Sequence, residues 1–381
     1  MRAPIFIMLL FGCQNVETFE TPTGLPEMTW PADNAYSVAK AELGRHLFYD
    51  MQLSLTGERS CGVCHDPLRG FTDGFVVSIG LYQESVDRNA LSLLNVGYRT
   101  QLSWRDPELT SIETQNLIPL MGDDPVEMGI DEETLEARMR ASEIYPVLFE
   151  SAYGPDEVTF NNALKALGTF QRTIVGGNTS YDAWLDGDTW RLSATAQRGL
   201  DLLNSPDFGC YRCHGGTFFE SPTDENGVVT DTHSYANNGL YNLDGKGSLP
   251  SKEQGLIETT GNADDMGKFR VPSLRGVLNS GPWMHDGSFL SVEDILDMYA
   301  RGGRLFEDGE FEGDGALSPF KSPLVTGFDM SIREKEDIMA FFAALSDSDA
   351  PIRENLQTPF CIEDFYGGFT NEPCIPQLSF E

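Results

Sequence analysis

Cys61-Gly62-Val63-Cys64-His65 stands in the first half of the chain and is answered by Cys210-Tyr211-Arg212-Cys213-His214 in the second. Upstream of the first lies Ala41-x-x-Gly44-x-x-Leu47-Phe48; upstream of the second, Ala196-x-x-Gly199-x-x-Leu202-Leu203. Ser37 and Ser193 are good N-caps, and Ala39, Leu43 and Leu47 recur every four residues as an apolar face. Both segments are therefore expected to be helical. The repeating unit is helix, loop, Cys-x-x-Cys-His.

The spacing has a chemical reason. Two residues between the cysteines let both sulfurs meet the vinyl carbons on one edge of a porphyrin, and the adjacent His ligates the iron, as in a c-type haem. A zinc site would want four thiolates or added histidines, and a thioredoxin-like pair would want a βαβ context. The chain holds only five histidines: His46, His65, His214, His233 and His285. With His65 and His214 spent as proximal ligands, the sixth iron positions are empty or filled by other side chains. His46 and His233 read as structural or surface residues.

Working outward, 381 residues favour two domains over one core. A content of 40% hydrophobic and 22% charged residues is globular, and 38 glycines with 21 prolines indicate many loops. Phe160, Ala163, Leu164, Leu167 and Ile174 form one helical stripe running into Gly176-Gly177, read as a helix stop and domain boundary. Thr217 to Pro282 reads as loop, Ser291 caps a helix through Tyr299, and Ser331 to Leu345 carries a core-facing pattern at Ile338, Phe341, Phe342 and Leu345. The expected fold is mainly α: two tandem cytochrome c-type haem domains with long loops, at 35–177 and 178–350.

The net charge of −33 excludes a nucleic-acid partner, since phosphate binding needs clustered Lys and Arg. It leaves a cationic protein partner, or plain solubility, as its meaning. Residues 1–12 look like a lipoprotein-type signal, with one Arg, an apolar run from Ile5 to Phe11 and Cys13 as the lipid-bearing residue. An ordinary secretory signal is the alternative. Residues 13–34 then form a linker, the location is the periplasm or cell envelope, and Cys13 is the sole membrane attachment. Of the seven cysteines, Cys361 and Cys374 remain in the tail 351–381, as two free thiols or, in an oxidising compartment, a disulfide.

Further motifs follow in order: Leu43-Gly44-Arg45-His46-Leu47-Phe48-Tyr49-Asp50, Gly70-Phe71-Thr72-Asp73-Gly74, Pro125-Val126-Glu127-Met128-Gly129, Phe269-Arg270-Val271-Pro272-Ser273-Leu274-Arg275 and Met284-His285-Asp286-Gly287. With these the chain resembles the bacterial di-haem cytochrome c peroxidase and MauG superfamily. Leu102-Ser103-Trp104, Gly239 to Gly245 and Asp265-Met266-Gly267 resemble its MauG-like MbnH branch.

The resemblance implies two covalent c-type haems of unequal role. Typical peroxidases carry a capping His where this chain has Leu81, which implies a five-coordinate His65 haem open to hydrogen peroxide. Glu127 matches the distal acid and Gln115 the distal glutamine, with Pro119 following. Tyr299 matches the far-side ligand of the His214 haem; its rivals are Met298 and Met284. Trp104 matches an inter-haem tryptophan, and its bland reading is a core indole. Asn89, with backbone oxygens of Ser280 and Pro282, matches an inter-haem Ca²⁺ site. His285 is expected near the second haem, and Arg270 beside a propionate or a surface acid.

Two enzymatic readings result. In one, peroxide drives oxidation of a secreted or periplasmic partner protein, at a Trp by the MbnH resemblance. In the other, a small electron-donor cytochrome supplies electrons that reduce peroxide to water. A non-catalytic electron carrier or sensor is the third reading.

Overall fold

The computed structural model describes residues 17–231, 234–362 and 369–373. The signal segment with Cys13, His233 and the Cys374 half of the expected disulfide lie outside the described residues. Among the described residues, eight helices have six residues or more: α1 (Val38–Tyr49), α2 (Glu132–Ala141), α3 (Tyr145–Tyr153), α4 (Phe160–Thr173), α5 (Ser180–Leu185), α6 (Ala194–Leu203), α7 (Val292–Arg301) and α8 (Ile332–Ala344). Among the described residues the strands form three two-stranded antiparallel ribbons, Tyr235–Ala236 with Phe269–Arg270, Leu305–Phe306 with Gly313–Asp314, and Phe360–Ile362 with Phe369–Pro373, beside isolated bridges such as Asp66 with Thr72 and Gly215 with Ser221. The expected helix-rich fold holds, with Thr217 to Pro282 bearing only single turns and one ribbon strand pair.

The caps fall where the sequence placed them. Ser37 accepts the Lys40 N–H at 3.2 Å and Ser193 accepts the Ala196 N–H at 3.1 Å. Ser331 and Glu334 cap α8 reciprocally, the Ser331 N–H donating to the Glu334 carboxylate at 2.8 Å. Each such cap contributes about 1 kcal/mol.

Two glycines then set how the long helices cross. A Cβ on Gly44 would overlap the Ala166 carbonyl and lie 2.8 Å from Phe170 Cβ; on Gly199 it would overlap the Asp337 carbonyl and lie 2.9 Å from Phe341 Cβ. Hydrogen alone fits, so α1 touches α4 as α6 touches α8, backbone on backbone. The crossings build two apolar cores, one around Leu43, Phe48, Met139, Phe149 and Phe170, the other around Leu203, Phe219, Ile338 and Phe341.

Three details differ from the sequence reading or extend it. Gly176-Gly177 is not a left-handed helix stop: α4 already ends at Thr173, and a Cβ at either glycine would press into Leu94 or Pro22, so close packing is what requires them. The linker is anchored, with buried Asn34 donating to the Lys165 carbonyl at 2.8 Å and to Glu113 at 3.0 Å. The tail returns to the first core, where Ala350, Leu356 and Phe360 are buried and the Tyr49 hydroxyl donates to the Leu356 carbonyl at 2.5 Å.

Candidate haem sites

Both Cys-x-x-Cys segments form a single helical turn, and the histidine that follows is held in the same way twice. His65 Nδ1 lies 2.8 Å from the Phe71 carbonyl, and His214 Nδ1 lies 3.1 Å from the Phe219 carbonyl. A carbonyl can only accept, so Nδ1 carries the proton and Nε2 keeps its lone pair for a metal. Burial lowers the proton affinity of both rings, which keeps them neutral. Phe71 and Phe219 reach these positions at φ of 60° and 54°, a conformation costing a side-chain-bearing residue roughly 1–3 kcal/mol. The same strain at matched positions marks a local geometry the repeat maintains.

His65 opens onto a cavity whose wall also contains Cys61, Cys64, Trp104, Gln115, Pro119 and Glu127. Residues far apart in sequence thus meet as the motifs implied. Burial alone raises the Glu127 carboxyl above its ordinary range; no neighbouring charge contributes. Gln115 Oε1 and Arg59 Nε are buried without a hydrogen-bond partner. Leu81 is buried beside Val126 and Gly129, its N–H donating to the Val126 carbonyl at 2.7 Å, and offers no ligand atom.

His214 opens onto a second cavity, with Cys210, Cys213, Arg270, Met284, His285 and Tyr299 in its wall. Met298 and Tyr299 are neighbours on α7, and the helix turns them apart: Met298 is buried against Leu240, Tyr241 and Phe289, while Tyr299 faces the cavity. Burial pushes the Tyr299 phenol up to about 12, against the lowering effect of a hydrogen bond with Asn238. Met284 shares this wall, its sulfur 3.4 Å from Asn238 Nδ2. Arg270 is buried, its Nε unpartnered and its nearest acid, Glu220, 3.7 Å away; desolvation brings its proton affinity down to about 10.

Trp104 lines both cavities. Its indole N–H donates to the Asn89 carbonyl at 2.9 Å, the Asn89 N–H donates to the His285 carbonyl at 2.8 Å, and the Trp104 and His285 ring centroids are 6.5 Å apart. His285 also stacks on Phe269 at 3.4 Å, within the second cavity's wall. The Asn89 amide nitrogen is committed to the carbonyls of Phe75 and Val76, at 2.9 and 3.2 Å, which turns its oxygen the other way. Ser280 and Pro282 lie on the loop that leads to His285. Among the described residues no group of three or more His, Cys or acidic side chains could hold a metal ion, so calcium would rest on amide and carbonyl oxygens. His46 is structural: its Nδ1 lies 2.9 Å from the Glu42 carbonyl and its ring packs edge-on against Phe360.

The donor set fits two covalently held haems. Cys61, Cys64, Cys210 and Cys213 are unpaired, and burial pushes the Cys61 and Cys210 thiols up to about 12, the opposite of what a thioredoxin-like thiolate needs. Each pair borders a cavity with a His whose Nδ1 is held by a carbonyl, and Arg59 and Arg270, one beside each cavity, both leave a buried Nε without a hydrogen-bond partner, which suits a porphyrin with propionates. The profile of the di-haem cytochrome c peroxidase family matches residues 38–190. The chain is 32% identical over 335 residues to the methylamine utilization protein MauG of Methylorubrum extorquens, covering 88% of this chain and 85% of that one. The chain belongs to the di-haem cytochrome c peroxidase and MauG family. It is similarly 29% identical over 371 residues to the cytochrome-c peroxidase IdrP1 of a Pseudomonas strain, covering 94% of both. A solved MauG-like protein associated with microbial copper homeostasis superposes with a TM-score of 0.85 at 37% identity, covering 90% of this chain and 99% of that one. Members of the family are haem-dependent oxidoreductases that use peroxide, and two c-type haems are their cofactors. Among the described residues no helix is long and apolar enough to cross a membrane.

Arg59 and Asn238 escaped the sequence reading. Arg59 stands two residues before Cys61, where a lone cation beside an attachment motif was the available signal. Asn238 carried none.

Proposed function

We propose that this protein uses hydrogen peroxide to oxidise a partner protein in the periplasm or cell envelope, with a partner Trp as the modified side chain. The chain would comprise two haem domains, at 35–177 and 178–350, with Cys13 as lipid anchor. The carrying observation is the difference between the two cavities: Tyr299 faces the same cavity as His214, whereas Leu81, at the position where the resemblance implies a capping His, is aliphatic and lies outside the wall of the His65 cavity.

A haem held beside His65 would supply the iron redox chemistry by which peroxide is reduced with two electrons. Cys61, Cys64 and His65 would hold one such haem, with Arg59 as a propionate partner; Cys210, Cys213, His214 and Tyr299 would hold the other, with Arg270. Beside the first, Glu127 would move a proton from one peroxide oxygen to the other, so that the O–O bond breaks with water as the leaving group. Gln115 orients the peroxide with its amide. Tyr299, as a hard anionic donor, favours the oxidised states of the second centre, and Trp104 connects the two. Asn89, Ser280 and Pro282 would fix that connection through Ca²⁺.

Ferric absorption and resonance Raman spectra of the wild type beside Tyr299→Met test the ligand set. The expected result is one high-spin five-coordinate haem and one six-coordinate haem, with loss of the phenolate signature in the variant. An unchanged variant spectrum refutes the assignment of Tyr299 and leaves Met284, and steady turnover with a reduced small cytochrome supports the peroxide-removal reading instead.

A further inference from the structure

The proximal sides of the two centres differ in where their aromatic rings lead. Behind His214, the Phe219 carbonyl holds the imidazole, the Phe219 and Tyr181 centroids are 5.6 Å apart, and Tyr181 stacks on Trp184 at 6.0 Å. Trp184 is only half-buried, on a helix whose last residue, Leu185, is 52% exposed. Behind His65, the rings in contact are Phe48, Tyr49 and Phe170, all buried. Phe219 has its counterpart in Phe71, but Tyr181 and Trp184 come from α5, which has no counterpart in this first ring group.

α5 is tied to the His214 loop by a buried ion pair. Asp182 receives both guanidinium nitrogens of Arg275, at 3.0 and 2.7 Å, with each side chain 1% exposed. Arg275 Nε donates to the Thr217 carbonyl at 2.8 Å, and Asp182 closes a capping box with Thr179. A buried ion pair adds little net stability but locks geometry through its directional bonds. What it locks here is the spacing between the Tyr181 and Trp184 rings and the loop that carries the haem ligand.

We infer that Tyr181 and Trp184 form an electron relay from the protein surface to the His214 haem, and that the partner's aromatic side chain is oxidised against Trp184. This rests on the peroxide-driven function proposed above. In each transfer Trp184 gives one electron inward through Tyr181 and its indole proton to solvent, and the partner's Trp or Tyr restores both. Two transfers supply the two electrons and two protons that take one hydrogen peroxide to two waters, leaving the partner oxidised by two electrons.

The test uses the haem-loaded protein treated with hydrogen peroxide in the absence of partner, read by electron paramagnetic resonance and peptide mass spectrometry. Trp190, 93% exposed on the loop after α5, is the internal control, because indiscriminate oxidation by peroxide should strike it first. The expected result is a protein radical and oxidised product at Trp184, both reduced several-fold in Tyr181→Phe and absent in Trp184→Phe, with ferric spectra unchanged in each variant. Oxidation confined to Trp190, or at Trp184 regardless of Tyr181, overturns the relay. Haems that show no spectral response to peroxide overturn the relay and the proposed function together; a normal response with identical behaviour of all variants overturns the relay alone.

Discussion

Glu127 owes its raised proton affinity to burial and to no neighbouring charge, and it stands in the wall of the first cavity. Glu127→Gln keeps the shape and removes the titratable group. Its reaction with peroxide, followed by stopped-flow absorption, is expected to slow by about 10²–10⁴-fold, the usual worth of a positioned acid–base group, with the ferric spectrum intact. A rate equal to wild type would take Glu127 out of the proton transfer. Gln115 and Glu127 could be singled out beforehand only through the family resemblance, Glu127 within Pro125-Val126-Glu127-Met128-Gly129. Tyr299 against Met298 was not decidable that way: adjacent helical residues point about 100° apart, and only the packed neighbours of α7 say which one meets the cavity. Asn238 was invisible for a related reason, since a loop asparagine acquires meaning only from what the fold brings beside it.

At the level of elements, the glycines of α1 and α6 are the most informative residues that carry no chemistry. Gly199→Ala forces a methyl into the Asp337 carbonyl, a backbone atom that cannot rotate away. The expected loss is roughly 1–3 kcal/mol in chemical denaturation, the scale of overpacking in a tight core. A variant as stable as wild type would mean that α6 and α8 separate without cost. The helices themselves were readable from caps and apolar spacing, because Ser37, Ser193, Ser291 and Ser331 act within one turn of chain. The ribbons were not, since pairs such as Tyr235–Ala236 with Phe269–Arg270 are two residues long and exist only through partners remote in sequence. Gly176-Gly177 misled for the same reason: a glycine needed for close approach looks, in sequence, like one needed for a turn.

For the molecule as a whole, the two cavities share one wall residue of redox-active type, Trp104. In Trp104→Phe the first haem is expected to respond to peroxide at its normal rate while the response of the second is delayed, seen as two separated phases in stopped-flow spectra. Simultaneous responses in the variant would show that the cavities communicate by another route. The tandem repeat and the haem pairing were legible at this scale from ten residues of motif, whereas the return of the tail was not, because its apolar residues are few and match no period.

That return has a kinetic meaning. Leu356 caps Tyr49, whose ring lies against Gly62 inside the first attachment motif. A chain that emerges N-terminus first therefore displays Cys61 and Cys64 before Leu356 can cover Tyr49. Contacts of such long range form late. The first motif thus has a window of openness, set by the 307 positions that separate Tyr49 from Leu356, in which chemistry at its thiols can be completed.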